Sequence, residues 1–123
     1  MASESSKVMR LLLQLRESTE NGKVVWERTG HEGQRVVFAG RQGGVAIFPE
    51  DWDNSHPFIL EILDVNKNII DSFQTVYEPD DVGEPRLTRQ SAAILDLYQA
   101  ARESSVHSVI EGLLAELKED PPF

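Results

Sequence analysis

The chain has 123 residues, no cysteine and a formal net charge of −9, from 12 basic and 21 acidic side chains. The lack of cysteine excludes disulfides, thiolate catalysis and cysteine-based zinc sites. The acidic balance disfavours direct binding to nucleic acids or anionic lipids, because such a surface repels phosphate groups. With 40% hydrophobic and 27% charged residues, the chain is expected to form a single domain over residues 1–123.

The N-terminal segment does not have the pattern of a targeting or membrane-spanning sequence. Its short apolar run is flanked by Arg10 and Arg16, and it lacks the cleavage pattern of a signal peptide. No stretch approaches the ~20 apolar residues that span a bilayer. We therefore expect a cytoplasmic protein.

The first predicted element is a helix over residues 5–20. Its apolar side chains recur with the helical period, at Val8, Leu11, Leu12 and Leu15. The dipeptide Asn21–Gly22 supplies the signal that ends it.

Five predicted strands follow, each rich in β-branched or aromatic residues and each bounded by turn residues. Short connections between consecutive strands favour an antiparallel meander. The strands are predicted over residues 23–29, 34–40, 45–50, 58–64 and 69–76.

The C-terminal third is predicted to be a surface linker followed by two helices. Residues 77–85 contain two prolines, a glycine and four acids, which is typical of a linker. Thr88 is expected to cap a helix that runs to about Glu103. Ser104 and Ser105 are expected to interrupt it, and Ser105 can cap the helix that follows. The last helix has apolar side chains with the 3.6-residue period, at Val106, Val109, Ile110, Leu113, Leu114 and Leu117. This row is predicted to be buried against the sheet or a second copy.

The predicted fold is therefore α+β. An N-terminal helix, a five-stranded antiparallel meander sheet and two C-terminal helices are expected to form two layers, with the helices on one sheet face.

The segment 64–75 begins like a calcium-binding loop, with Asp64, Asn66 and Asn68 at alternate positions. An EF-hand loop needs glycine at position 6 and a bidentate glutamate at position 12. Here those positions hold Ile69 and Thr75. We therefore predict a hairpin turn and no calcium site, and we predict neither a metal nor another cofactor for the chain.

The segment around residue 52 is the candidate interaction site. A tryptophan among acidic residues would suit a basic protein partner with an apolar pocket, since the charges would speed encounter and the ring would hold the complex. The alternative is that Trp52 folds back into the core. The candidate residues are Phe48, Glu50, Asp51, Trp52, Asp53 and His56.

The chain resembles a group of small bacterial α/β proteins for which no activity is established. The resemblance rests on a Leu-rich helix and a GKxxWxxT strand in LLLQLRESTENGKVVWERT, the hairpin ILDVNKNIIDSF, and the LxxLYxxAR helix in AILDLYQAARESS. It implies the fold and a bacterial cytoplasmic origin, but no site residues.

No catalytic motif is apparent, so we expect a non-catalytic module that binds another protein and acts in interaction or regulation. A homodimer is one form that it could take. Two alternatives stay open. One is a metal-dependent enzyme that uses the carboxylates of the loops, and the other is a nucleic-acid mimic that binds a basic protein.

Overall fold

The computed structural model describes residues 2–51 and 57–119, with side chains for 7–51 and 57–118. Two helices are present, α1 (Ala2–Glu20) and α2 (Arg89–Glu119). The strands are β1 (Glu27–Thr29), β2 (Arg35–Ala39), β3 (Gly44–Pro49), β4 (Phe58–Leu63), β5 (Ile69–Gln74), β6 (Tyr77–Pro79) and β7 (Pro85–Leu87). Within these ranges, no helix is long and apolar enough to cross a membrane.

The predicted antiparallel meander is confirmed. The first five strands form one sheet in the order β1-β2-β3-β4-β5, and each neighbouring pair is antiparallel. Because side chains alternate between sheet faces, the register places Val36, Ile47, Leu60 and Phe73 in one row on the same face. The first three are fully buried. This is the core face of the sheet.

Helix α2 contacts β1 to β4 through its N-terminal half. Its core residues are Ile94, Leu97, Tyr98 and Ala101, each at most 2% exposed. The Tyr98 ring meets the Phe58 ring edge-on, with 5.0 Å between centroids, and its hydroxyl donates to the Gln34 carbonyl oxygen at 2.7 Å. Burial raises the pKa of the Tyr98 phenol. The hydroxyl therefore stays protonated and can donate this hydrogen bond.

Helix α1 ends where the Asn21–Gly22 signal predicts. Gly22 has a φ of 72°, and the amides of Gly22 and Lys23 donate to the carbonyl oxygens of Thr19 and Ser18. This pair of bonds is a Schellman motif, which needs a left-handed residue at the helix end. It turns the chain so that Trp26 comes back against α1.

The predicted first strand is longer than the observed one. Strand pairing begins only at Glu27. The residues before it do not pair with β2, because they place the Trp26 side chain in the core. Trp26 is 2% exposed, and its Nε1 donates to Thr19 Oγ1 at 2.9 Å. Its ring centroid lies 5.8 Å from that of Phe38 on β2. Trp26 thus connects α1 to the sheet.

The prediction of two C-terminal helices is wrong, because α2 is one continuous helix of 31 residues. Ser105 was expected to start a new helix. Instead its hydroxyl donates to the Arg102 carbonyl oxygen at 2.8 Å, inside the helix. A serine that bonds back to the preceding turn is compatible with an uninterrupted helix. Thr88 does cap the start as predicted, since its Oγ1 accepts the Ser91 amide at 3.1 Å.

The predicted linker over residues 77–85 is also wrong in its conformation. It contains strands β6 and β7, which pair with each other in a separate two-stranded sheet. Asp80 organises the turn between them, because its Oδ1 accepts the amides of Val82 and Glu84 at 2.9 and 2.8 Å. Asp80, one of the acidic residues that suggested a linker, therefore forms a hairpin turn.

The segment that resembles a calcium loop is the β4–β5 turn, as predicted. Asp64 Oδ1 accepts the amides of Asn66 and Asn68 at 2.8 and 2.9 Å. Lys67 has a φ of 68°, and its amide donates to the Asp64 carbonyl oxygen at 3.0 Å. The carboxylate is thus engaged by the backbone of its own turn.

Stability should depend on the ionisation of Asp64. The Asn68 amide is the main cause that lowers the pKa of this carboxyl below its ordinary value of 3.8, followed by the Asn66 amide. A lowered folded-state pKa means that the ionised form stabilises the fold above 3.8 and that this contribution is lost as pH falls through the folded value. Urea unfolding of the parent and Asp64→Asn should differ at neutral pH and converge in acid. A difference that does not depend on pH would contradict this prediction.

Candidate interaction surface

The C-terminal half of α2 leaves its apolar side chains exposed. Every residue from Val106 to Lys118 is exposed. We call the row of six apolar side chains the α2 stripe: Val106 (46% exposed), Val109 (62%), Ile110 (48%), Leu113 (52%), Leu114 (53%) and Leu117 (69%). The prediction that the sheet of the same chain buries this row is wrong.

The physical reason is that this half of α2 extends past the sheet, since every side of the helix is exposed from Val106 to Lys118. The stripe also lies on a different side of the helix from the core residues. The core row of α2 runs through Ile94, Leu97, Ala101 and Ser105. At about 100° per residue, the stripe lies about two-fifths of the way around the helix from that row. The helical period is therefore present in both halves of α2, but the two halves present their apolar residues in different directions.

A shallow groove lies at the base of the stripe, between α2 and strand β1. It is lined by Trp26 and Arg28 from the β1 side and by Ser105, Val106 and Ile110 from α2. Arg28 also lines a second depression, with Arg102 and His107. The stripe therefore begins in a concave region and continues onto an open helix face.

The exposed half of α2 is a weak helix by itself. It is about 20 Å long at 1.5 Å per residue, and isolated helices shorter than ~12–15 residues are marginal in water. Gly112 costs about 1 kcal/mol relative to alanine within a helix, and Val106 and Val109 are also poorer helix formers. Burial of the stripe against a partner would supply the stabilisation that this segment lacks.

The charges around the stripe are of both signs. Residues 102–118 contain two basic and three acidic side chains, a balance similar to that of the whole chain, which contains 12 and 21. The six positions of the stripe itself are all aliphatic, so the charged side chains lie beside it.

The predicted site around residue 52 is described only in part. Phe48 is half-buried in β3 on the sheet face opposite the core, with the Arg35 guanidinium carbon 5.8 Å from its ring centroid. Glu50 and Asp51 are exposed just after β3, and the Glu50 amide donates to the Pro57 carbonyl oxygen at 2.9 Å. Trp52, Asp53 and His56 lie outside the described residues.

Next to Phe48, an ion pair crosses the outer face of the sheet. Arg35 Nη2 on β2 lies 3.2 Å from Glu61 Oε1 on β4. Glu61 pairs in the register with Ala46 on β3, which is fully buried. Its small side chain leaves room for the two charged side chains to meet above β3. Phe48 is therefore held beside a fixed charge pair, while the two acids after it are open to solvent.

Among the described residues, no group of three or more histidine, aspartate or glutamate side chains is arranged to hold a metal ion. His107 lies on the exposed half of α2, and its Nε2 is 3.5 Å from Glu111 Oε1. The acids of the β6–β7 hairpin serve local roles as well, since Glu78 Oε1 lies 3.7 Å from Arg86 Nη2.

The sequence predicts the α2 stripe as an apolar row buried against the sheet or a second copy, and the exposure of the row in the single chain overturns only burial against the sheet. The helical period gives no signal that separates the two cases, because a buried and an exposed apolar face have the same spacing. Comparison with protein-family models, with curated proteins and with solved structures finds no match. The geometry of this surface therefore carries the functional argument alone.

Proposed function

We propose that this chain is a non-catalytic protein–protein interaction module and that the α2 stripe is its main binding surface. The observation that carries the proposal is the exposure of six neighbouring aliphatic side chains on one helix face. An amphipathic helix of this kind binds by placing its apolar face against a complementary surface on a partner. Contiguous apolar patches of this sort mark interaction sites in soluble proteins.

The segment around residue 52 has a secondary role in this proposal. Glu50 and Asp51 are exposed beside the half-buried ring of Phe48. With the overall charge of −9, such acids would accelerate the approach of a partner with a basic surface. Trp52 would then be an additional apolar contact. The stripe supplies most of the apolar area in this proposal, and the acidic segment supplies steering.

Replacement of Leu113 by aspartate tests the stripe. Because Leu113 is 52% exposed, we expect the free energy of unfolding to change by only about 0.5 kcal/mol at submicromolar concentration, as for other surface substitutions. A charge placed in a core would cost several kcal/mol. In affinity capture from the native host, the Leu113→Asp bait should lose the bound proteins. Urea unfolding and mass spectrometry of the captured proteins measure the two effects.

Val82→Asp is the matched control. Val82 is 81% exposed in the β6–β7 hairpin, which adjoins the N-terminal end of α2 and not the stripe, so the same change of chemistry should leave capture intact. A Trp52→Ala bait tests the acidic segment separately. If Leu113→Asp retains every partner that the parent retains, the stripe is not the binding surface. If it unfolds the chain, the stripe is structural.

A further inference from the structure

We propose that the occupant of the α2 stripe is a second copy of this chain, paired antiparallel through the exposed halves of the two α2 helices. This inference rests on the function proposed above and deepens it, because it identifies the partner surface. A twofold dimer needs a surface that is complementary to itself. Both the spacing of the stripe and the charges beside it meet this requirement.

The spacing of the stripe is the same in both chain directions. From Val106 the apolar positions follow at steps of three, one, three, one and three residues, and from Leu117 backwards the steps are identical. An antiparallel pair can therefore place Val106 of one copy beside Leu117 of the other, and Ile110 beside Leu113. In that register all six side chains of each copy meet apolar side chains of the other.

The charges at the two ends of the stripe are complementary in the same register. In an antiparallel pair, each edge of one helix faces the same edge of the other. Helical geometry places Glu103 and Lys118 on one edge of the stripe. Arg102 and Glu116 lie towards the other edge. The antiparallel register brings Glu103 of one copy near Lys118 of the second, and Arg102 near Glu116. Twofold symmetry makes each of these opposite-charge contacts twice.

A parallel, in-register pair would also bring opposite charges together, because it faces the edge that carries Glu103 with the edge that carries Arg102. The charges beside the stripe therefore support a second copy as the occupant in either direction. The antiparallel direction is the one that brings the end of one stripe to the groove at the base of the other.

The groove at the base of α2 fits the far end of a second stripe. Leu117 is the most exposed member of the stripe, at 69%. In the antiparallel register it lies beside Val106 of the other copy, which lines the groove together with Trp26 and Arg28. Each copy would thus bury the tip of the other's helix in a concavity. This contact extends the interface from the helix pair to strand β1.

Disulfide trapping tests the arrangement without interference, because the chain has no cysteine of its own. Val106→Cys and Leu117→Cys are made separately, one with a mass tag, and are mixed in a glutathione redox buffer. The two positions are about 16 Å apart along one helix, whereas a disulfide requires Cα atoms within about 7 Å. We expect a cross-link between the two different variants and at least tenfold less between identical ones. The parent should sediment as a dimer, and Leu113→Asp as a monomer.

Other outcomes would overturn the proposal. If Val106→Cys alone forms the cross-linked dimer, the helices pair in parallel. If the parent remains monomeric at about 100 µM, far above the micromolar range of weak specific complexes, the second copy is not the occupant. In that case, loss of captured proteins with Leu113→Asp would still support the proposed function. These measurements therefore distinguish failure of the dimer proposal from failure of the proposed function. Val82→Cys is the control for non-specific oxidation and should yield no specific dimer.

Discussion

Replacement of Trp26 by alanine should lower the free energy of unfolding by about 3–5 kcal/mol, the range for removal of a buried aromatic side chain. Trp26 is 2% exposed and contacts the Phe38 ring. Its Nε1 is bound to Thr19 Oγ1, which in turn donates to the Leu15 carbonyl oxygen at 2.6 Å. The substitution opens a cavity between α1 and the sheet, and it also removes a buried hydrogen bond. Chemical denaturation monitored by circular dichroism measures the loss.

Two further variants separate these contributions. Thr19→Val keeps the shape of the side chain but removes the acceptor of the indole N–H, which should cost about 1–3 kcal/mol for one unsatisfied buried group. Val25→Ala is the control, because Val25 precedes Trp26 and is 63% exposed. A Trp26→Ala variant as stable as Val25→Ala would show that α1 is not held to the sheet in this way.

Replacement of Gly43 by alanine should cost about 2–4 kcal/mol, from backbone strain together with overpacking. Gly43 has a φ of 154°, and a Cβ there would collide with the Leu63 carbonyl oxygen on β4. Its own carbonyl oxygen accepts the Gly40 amide at 2.7 Å, which closes the β2–β3 turn. The added methyl group must therefore push β4 away or distort this turn. Urea unfolding measures the effect.

Gly83→Ala distinguishes strain of the backbone from collision. Gly83 has a φ of 85° in the β6–β7 hairpin, and a Cβ there would meet open space. Only the cost of the left-handed conformation applies, about 1–2 kcal/mol. Equal losses for Gly43→Ala and Gly83→Ala would show that the approach of β4 to Gly43 has no energetic consequence.

The sheet could be predicted from the sequence because strand signals are local. Each strand is a short β-branched or aromatic run between turn residues, and in a meander the chain order is also the spatial order. The Asp64 turn was predictable for the same reason, since its carboxylate bonds amides only two and four residues away. At the strands and at the Asp64 turn, the local sequence leaves few alternative backbone conformations.

The continuity and the exposure of helix α2 could not be predicted in the same way, because both depend on contacts between residues that are distant in sequence. Ser105 can cap a new helix or bond back to Arg102, and the adjacent core on the sheet favours the second. The periodicity of the α2 stripe shows that one helix face is apolar, but it does not show what covers that face. Trp26 illustrates the same limit. Its strand-like neighbours predicted pairing, whereas its contact with Thr19 on α1 determines its position.

The packing of α1 beside α2 has a consequence for synthesis of the chain. Arg16 Nη1 of α1 lies 3.2 Å from Asp96 Oδ2 of α2, so α1 packs against a helix that is synthesised after the whole sheet. α2 begins at Arg89, and at about 5–20 residues per second it follows the end of α1 by about 3–14 s. During that interval the Leu12 and Leu15 side of α1 lacks its final neighbour. The nascent chain therefore passes through a stage in which this apolar side of α1 is not yet covered by α2.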